Sequence, residues 1–152
     1  MAIDHVSLGY SLDGRIVSAF APLRAAGYDF RYAADGEPYQ ILVTRLYTLV
    51  CDGMVGYWDR TRQAISIAPQ CLETEAQLRH AIVHEGLHAL GARHICRERD
   101  EIIERRRVGD DCFGGAFAPA VLNPFTQYGD SVSPSELTDL DLRELRRVGA
   151  IP

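Results

Sequence analysis

Hydrophobic residues recur with two periods along the chain. A spacing of about two predicts strands and a spacing of three to four predicts helices. His5 to Tyr10 alternates as a strand does, and Leu12 to Ala26 then sets Ile16, Val17, Phe20 and Leu23 at helical spacing before Gly27 ends the run. Tyr28 to Ala33 and Ile41 to Leu49 are rich in β-branched and aromatic residues around the turn-forming Asp35-Gly36-Glu37-Pro38, which predicts two strands. After the turn signal Asp52-Gly53, Met54 to Asp59 and Ala64 to Ala68 predict two short strands about Arg60-Thr61-Arg62, and Pro69 closes this β-rich half.

The second half changes period. Thr74 followed three residues later by Gln77 is a capping-box pattern and opens a helix from about Glu75 to Leu90, stopped by Gly91. Arg97 to Arg107 is almost wholly charged, with Glu101 and Arg105 four apart in the favourable order, and reads as a solvated helical excursion. Gly109 to Thr126 is rich in glycine, proline and small residues, hence irregular. Ser133-Pro134-Ser135-Glu136 combines a second capping box with proline at the first helical position, so a C-terminal helix carrying Leu137, Leu140, Leu145 and Val148 on its apolar face is expected.

Composition narrows the function classes. A chain of 152 residues, 47% of them hydrophobic, buries one core and is too short for two ordinary domains, so residues 1–152 are read as one domain. The net charge of -5, with no lysine at all, argues against a nucleic-acid footprint. No stretch approaches the roughly 18 apolar residues of a membrane span, and MAIDHVSLGY has neither the basic flank nor the apolar run of an export signal. A soluble monomer without a membrane partner is expected. Cys51, Cys71, Cys96 and Cys112 are either free thiols or two bridges. If bridged, the favoured pairs are 51 with 71 and 96 with 112, loops in which a bridge contributes about 3 kcal/mol, and the setting is then oxidising and extracellular.

The segment that carries chemistry is His84-Glu85-Gly86-Leu87-His88-Ala89-Leu90-Gly91-Ala92-Arg93-His94. Residues four apart on an α-helix lie one turn above each other, so His84 and His88 can offer two imidazole nitrogens to one ion. Glu85, rotated by about 100°, can flank that ion without ligating it and act as general base. Gly91 lets the chain turn in a left-handed conformation and bring His94 back as third ligand. Three neutral imidazoles on a tetrahedral zinc leave one position open, the arrangement of catalytic sites.

The segment fits HExxHxxGxxH at every fixed position and resembles the metzincin metallopeptidases. The resemblance implies an α+β fold with an N-terminal twisted mixed sheet, two long helices including the zinc helix, an irregular lower half and a C-terminal helix. It implies one catalytic Zn2+ on His84, His88 and His94, Glu85 as base, and a peptide or protein substrate. Ala120-Val121-Leu122-Asn123-Pro124 is similar to the family's Met-turn, closest to the matrixin group, with Leu122 in place of the methionine that packs beneath the metal. That exchange nearly conserves volume, so a working metal site is expected. Where some groups carry a tyrosine ligand this chain has Pro124, and Ile95 stands where matrixins carry a small hydroxyl residue. No propeptide segment precedes the domain, so latency by a cysteine switch is not expected.

Other residues are weighed against plainer roles. His80, one turn before His84, drifts about 40° off the metal-facing line and is expected to be an exposed or hydrogen-bonded bystander. His5 has no partner nearby in sequence. Tyr57 and Trp58 are expected to pack in the core, with residues 55 to 58 as a candidate edge for strand addition by substrate. Asp110 and Asp111 could suggest calcium, though a surface turn explains them, and Tyr128 is a candidate oxyanion donor. The leading function is a zinc-dependent endopeptidase. The alternatives are a zinc-stabilised peptide-binding module and a narrowly specific amidase or effector.

Overall fold

The computed structural model describes residues 1–5, 16–24, 27–47, 51, 55–95, 120–122 and 136–152. Strands β1 (Ala2–His5), β2 (Arg31–Tyr32), β3 (Ile41–Arg45), β4 (Gly56–Asp59) and β5 (Ala64–Ile67) form one sheet in the order β2-β1-β3-β5-β4. Neighbours run parallel except β4, which lies antiparallel to β5 at one edge with Trp58 opposite Ile65. The β4–β5 connection is a tight turn in which Asp59 Oδ1 accepts the amides of Thr61 and Arg62. The expected α+β architecture with a mixed sheet is present.

Side chains alternate across a strand, and here Ile3, Ile41, Val43, Ile65 and Ile67 share one buried face. The helices cover it: α1 (Ile16–Ala19), α2 (Ala21–Arg24) and α3 (Glu75–Ala89) contribute Ile16, Leu23, Leu78, Ile82, Val83 and Leu87 to the same core. A one-turn 3₁₀ helix (Pro69–Cys71) leads from β5 into α3. Helix α4 (Asp139–Arg147) packs through the fully buried Leu145, and the Tyr28 hydroxyl donates to the Ala150 carbonyl just beyond it.

Several expected boundaries move for identifiable reasons. The first strand starts at Ala2, and the rest of the predicted His5 to Tyr10 run lies outside the described residues. The expected single helix over 12–26 is broken: α1 and α2 are separate four-residue turns, with 3₁₀-type bonds Phe20 N–H to Val17 carbonyl at 3.1 Å and Leu23 N–H to Phe20 carbonyl at 3.0 Å. Pro22 explains the break, because it has no N–H and its ring would press on the carbonyl of Ser18 in a continuous helix. The fold therefore has one long helix among the described residues, α3, where two were expected. The C-terminal helix begins at Asp139, not at Pro134. Thr138 and Asp141 form the capping box actually used, and Glu136 stays outside the helix. Helix α3 starts as expected, with Thr74 and Gln77 capping each other.

Of the cysteines, Cys51 and Cys71 form a disulfide 20 residues apart, so the free-thiol alternative is wrong for this pair. Cys96 and Cys112 lie outside the described residues, as do the charged 97–107 stretch, Asp110, Asp111 and Tyr128. The bridge closes a loop containing β4 and β5, and loops of this length restrict the unfolded chain by about 3 kcal/mol. The double variant Cys51→Ser/Cys71→Ser is accordingly expected to lose about 3 kcal/mol in urea unfolding; an unchanged midpoint would show that the bridge adds nothing. No helix among the described residues is long and apolar enough to cross a membrane.

Candidate metal centre

Helix α3 presents His84 and His88 on one face, and the chain then reverses to return His94. The reversal is a Schellman end: Gly91 N–H reaches the His88 carbonyl at 2.9 Å and Ala92 N–H the Leu87 carbonyl at 3.0 Å. Gly91 sits at φ 93°, a conformation that a Cβ would strain. The three Nε2 atoms of His84, His88 and His94 form a triangle with every edge 3.1 Å.

Hydrogen bonds behind the rings fix which nitrogens face inward. His84 Nδ1 donates to the Val121 carbonyl at 2.6 Å and His88 Nδ1 to the Ala92 carbonyl at 2.9 Å. With Nδ1 protonated in the neutral ring, each Nε2 turns a lone pair to the centre. The Nε2 acceptors of His84 and His88 cannot satisfy each other, whereas a cation could be shared by all three ring nitrogens. Protonation is a poor substitute: burial and the neighbouring His88 push His84 well below the usual histidine range and His94 down to about 4. The group could hold a metal ion.

Glu85 projects to the side of this triangle and is buried against β4. Burial pushes its carboxyl up to about 8, partly opposed by a hydrogen bond from the Trp58 backbone amide. The strand geometry explains why that amide is free to donate. Val55 carbonyl accepts from Ala68 N–H at 2.8 Å, so alternation directs Val55, Tyr57 and Asp59 towards β5 and turns the N–H and C=O of Gly56 and Trp58 to the open side. Trp58 packs its ring on the core as expected, while Tyr57 is exposed on the opposite face.

Ala120, Val121 and Leu122, the segment whose Val121 carbonyl meets His84, are completely buried. The backbone there is held by Asp141 of α4, whose carboxylate accepts from Val121 N–H at 3.1 Å and Leu122 N–H at 2.8 Å. Two residues of this site therefore escaped the sequence reading. Asp141 carried no motif beyond its place as the third helical residue after Thr138. Gly86 read only as a variable position, yet a Cβ there would stand 2.4 Å from Phe20 Cε1, and Phe20 is stacked on Phe30 with centroids 4.4 Å apart. Gly86→Ala gains up to about 1 kcal/mol of helix propensity but overpacks a ring with no room to retreat, at about 1–3 kcal/mol. Net destabilisation is expected in thermal unfolding, relieved by adding Phe20→Leu. Stabilisation by Gly86→Ala alone would refute this reading.

His80 is the remaining correction. Its ring lies 5.7 Å from that of His84 and outside the converging group, as expected of a bystander, but it is buried, which excludes the exposed one of the two expected alternatives. His5 ends β1. Asn123 and Pro124 lie outside the described residues.

Comparison of the chain with protein-family models, with curated proteins and with solved structures finds no match. The functional reading therefore stands on the site itself.

Proposed function

We propose that the chain is a zinc-dependent endopeptidase in which His84, His88 and His94 hold one zinc ion and Glu85 is the general base. The observation that carries this is the triangle of Nε2 atoms beside a buried carboxylate that is not part of it. Zinc suits the donor set, since its bonds to imidazole nitrogen are about 2.0–2.1 Å. Ring nitrogens 3.1 Å apart are close enough together for one such ion to be held by all three of His84, His88 and His94. Three protein ligands leave a position for water or substrate.

Zinc bound there would supply Lewis acidity, lowering the pKa of water towards about 7 and polarising a substrate carbonyl. The chain's own residues do the rest. Glu85 takes a proton from the attacking water and hands it to the leaving amine, with the Trp58 amide orienting the carboxylate. The outward groups of Gly56 and Trp58 on β4 give an extended peptide a short edge to pair with. The HExxHxxGxxH segment, the mixed sheet with an antiparallel edge strand beside α3, and Leu122 buried in the segment that meets His84 support the resemblance to metzincins. The Cys51–Cys71 bridge favours an oxidising, extracellular setting.

Metal analysis paired with casein digestion tests the proposal. Wild type is expected to carry one zinc and digest casein, and Glu85→Ala to keep the zinc without digesting. Cleavage by Glu85→Ala at the wild-type rate would remove Glu85 from the mechanism. Stoichiometric zinc with captured peptide and no cleavage by wild type would favour a binding module.

A further inference from the structure

Helix α4 supplies none of the three histidines, yet it touches both segments that complete the triangle. Asp141, fully buried, accepts from Val121 and Leu122 N–H, and Val121 returns its carbonyl to His84 Nδ1. Three residues on, Glu144 Oε1 accepts from the backbone N–H of Arg93, the residue before His94, at 2.8 Å. The two turns are also joined directly, since Ile95 N–H faces the Leu122 carbonyl at 3.4 Å. Each carboxylate is held in turn. Asp141 Oδ2 takes the Thr138 hydroxyl at 2.7 Å and the Thr138 amide at 2.8 Å, and Glu144 is paired with Arg147 through both oxygens at 2.5 and 2.6 Å.

From this we infer that α4 is the positioning element of the metal centre, with Asp141 setting the ring of His84 and Glu144 setting the return of His94. The inference rests on the reading of the three histidines as a metal site, and concerns what fixes their geometry. A backbone amide at 121, 122 or 93 can be satisfied in a folded chain by several partners, and only some place the neighbouring carbonyl or ring correctly. A carboxylate accepts from two amides at once without donating, so it fixes a turn that an amide or hydroxyl side chain would leave partly unsatisfied. Glu144 adds a charged anchor from Arg147, which holds its carboxylate below the usual range. Both groups act on the histidines through one intervening backbone segment, which makes them positioning residues and not ligands.

The test is metal affinity by chelator competition, with the Co2+ absorption spectrum as a report on ligand geometry. Partners behind metal-binding histidines typically contribute about 10–100-fold in affinity. Asp141→Asn, which keeps the volume but presents an NH2 group to an amide, is expected to weaken binding about 10-fold and to alter the cobalt spectrum. Glu144→Ala is expected to act in the same direction, and Glu144→Gln, which keeps an acceptor for Arg93 N–H, to restore most of the affinity. Arg143→Ala, at an exposed α4 residue that donates to the Asp139 carbonyl of its own helix, serves as a surface control and is expected to change affinity least. Wild-type affinity and an unchanged spectrum in both Asp141→Asn and Glu144→Ala, with only a lower melting temperature, would overturn the inference and leave α4 a stabilising element. If wild type binds no ion, the metal reading itself falls. The inference is then decided by imidazole 15N spectra of the metal-free chain, in which Asp141→Asn is expected to mix the tautomers of His84 and a single unchanged tautomer would refute it.

Discussion

Glu85→Gln is expected to leave the histidine triangle intact, to lower peptide hydrolysis by about 10²–10⁴-fold and, in the metal-free chain, to raise stability at pH 7. The loss of hydrolysis follows from removing the proton acceptor, and the gain in stability from removing a buried ionisable carboxyl. Burial raises the folded carboxyl to about 8, above its ordinary 4.5, so folding takes up a proton between those values. A raised folded pKa contributes stability that is fully present below about 4.5 and is lost as pH rises through about 8. Glutamine keeps the shape without this cost. At one pKa unit per 1.36 kcal/mol, the gain near pH 7 is about 3 kcal/mol. The histidines have the opposite sign. His94 titrates near 4 in the fold, so its share of stability is lost as pH falls from about 6.5 towards 4. Thermal unfolding of the metal-free proteins from pH 4 to 9 separates the two: the gain from Glu85→Gln is expected to grow with pH. A gain independent of pH would mean that the carboxyl is not held in its neutral form, and undiminished hydrolysis by Glu85→Gln would remove it from catalysis.

The second large effect is that of the ion on folding. Three imidazole nitrogens converging at 3.1 Å exist only in the folded chain, so a cation binding there stabilises the native state by mass action. At a free concentration of 1,000 times the dissociation constant this amounts to about 4 kcal/mol, which for a chain of this size is about 8–16 °C in melting temperature. Chelation is expected to reverse the shift fully, and His88→Ala to abolish it. Identical melting curves for wild type with excess zinc and with chelator would argue against a preformed metal centre.

The parts of this architecture visible in the sequence are those set by residues close together along the chain. His84 and His88 are one turn apart, Gly91 is the residue that permits the reversal, and Thr74 with Gln77 marks the start of α3. Local geometry fixes all of these. The strands were found by composition but drawn too long, since the hydrophobic run to Leu49 continues beyond the pairing that ends at Arg45. Two helix errors came from competing local signals: Pro22 broke a run whose spacing was helical, and Thr138 with Asp141 prevailed over the Ser133 cap. What could not be read was set by distance in sequence. Asp141 meets backbone amides 19 and 20 residues away, which carry no side-chain signature. Gly86 is required by a phenylalanine ring on another element, and the Trp58 amide that holds Glu85 is a backbone group that every residue possesses.

That amide also bears on how the protein behaves towards copies of itself. An exposed sheet edge is a template on which a second chain can polymerise, and long flat edges promote aggregation. Here β2 is two residues long at one border of the sheet, and at the other β4 turns only Gly56 and Trp58 outward. With the Trp58 N–H committed to Glu85, a single outward donor, the Gly56 amide, remains within β4. A second sheet finds too short a ladder to zip against, so the contact between Glu85 and the Trp58 amide also disfavours edge-to-edge association.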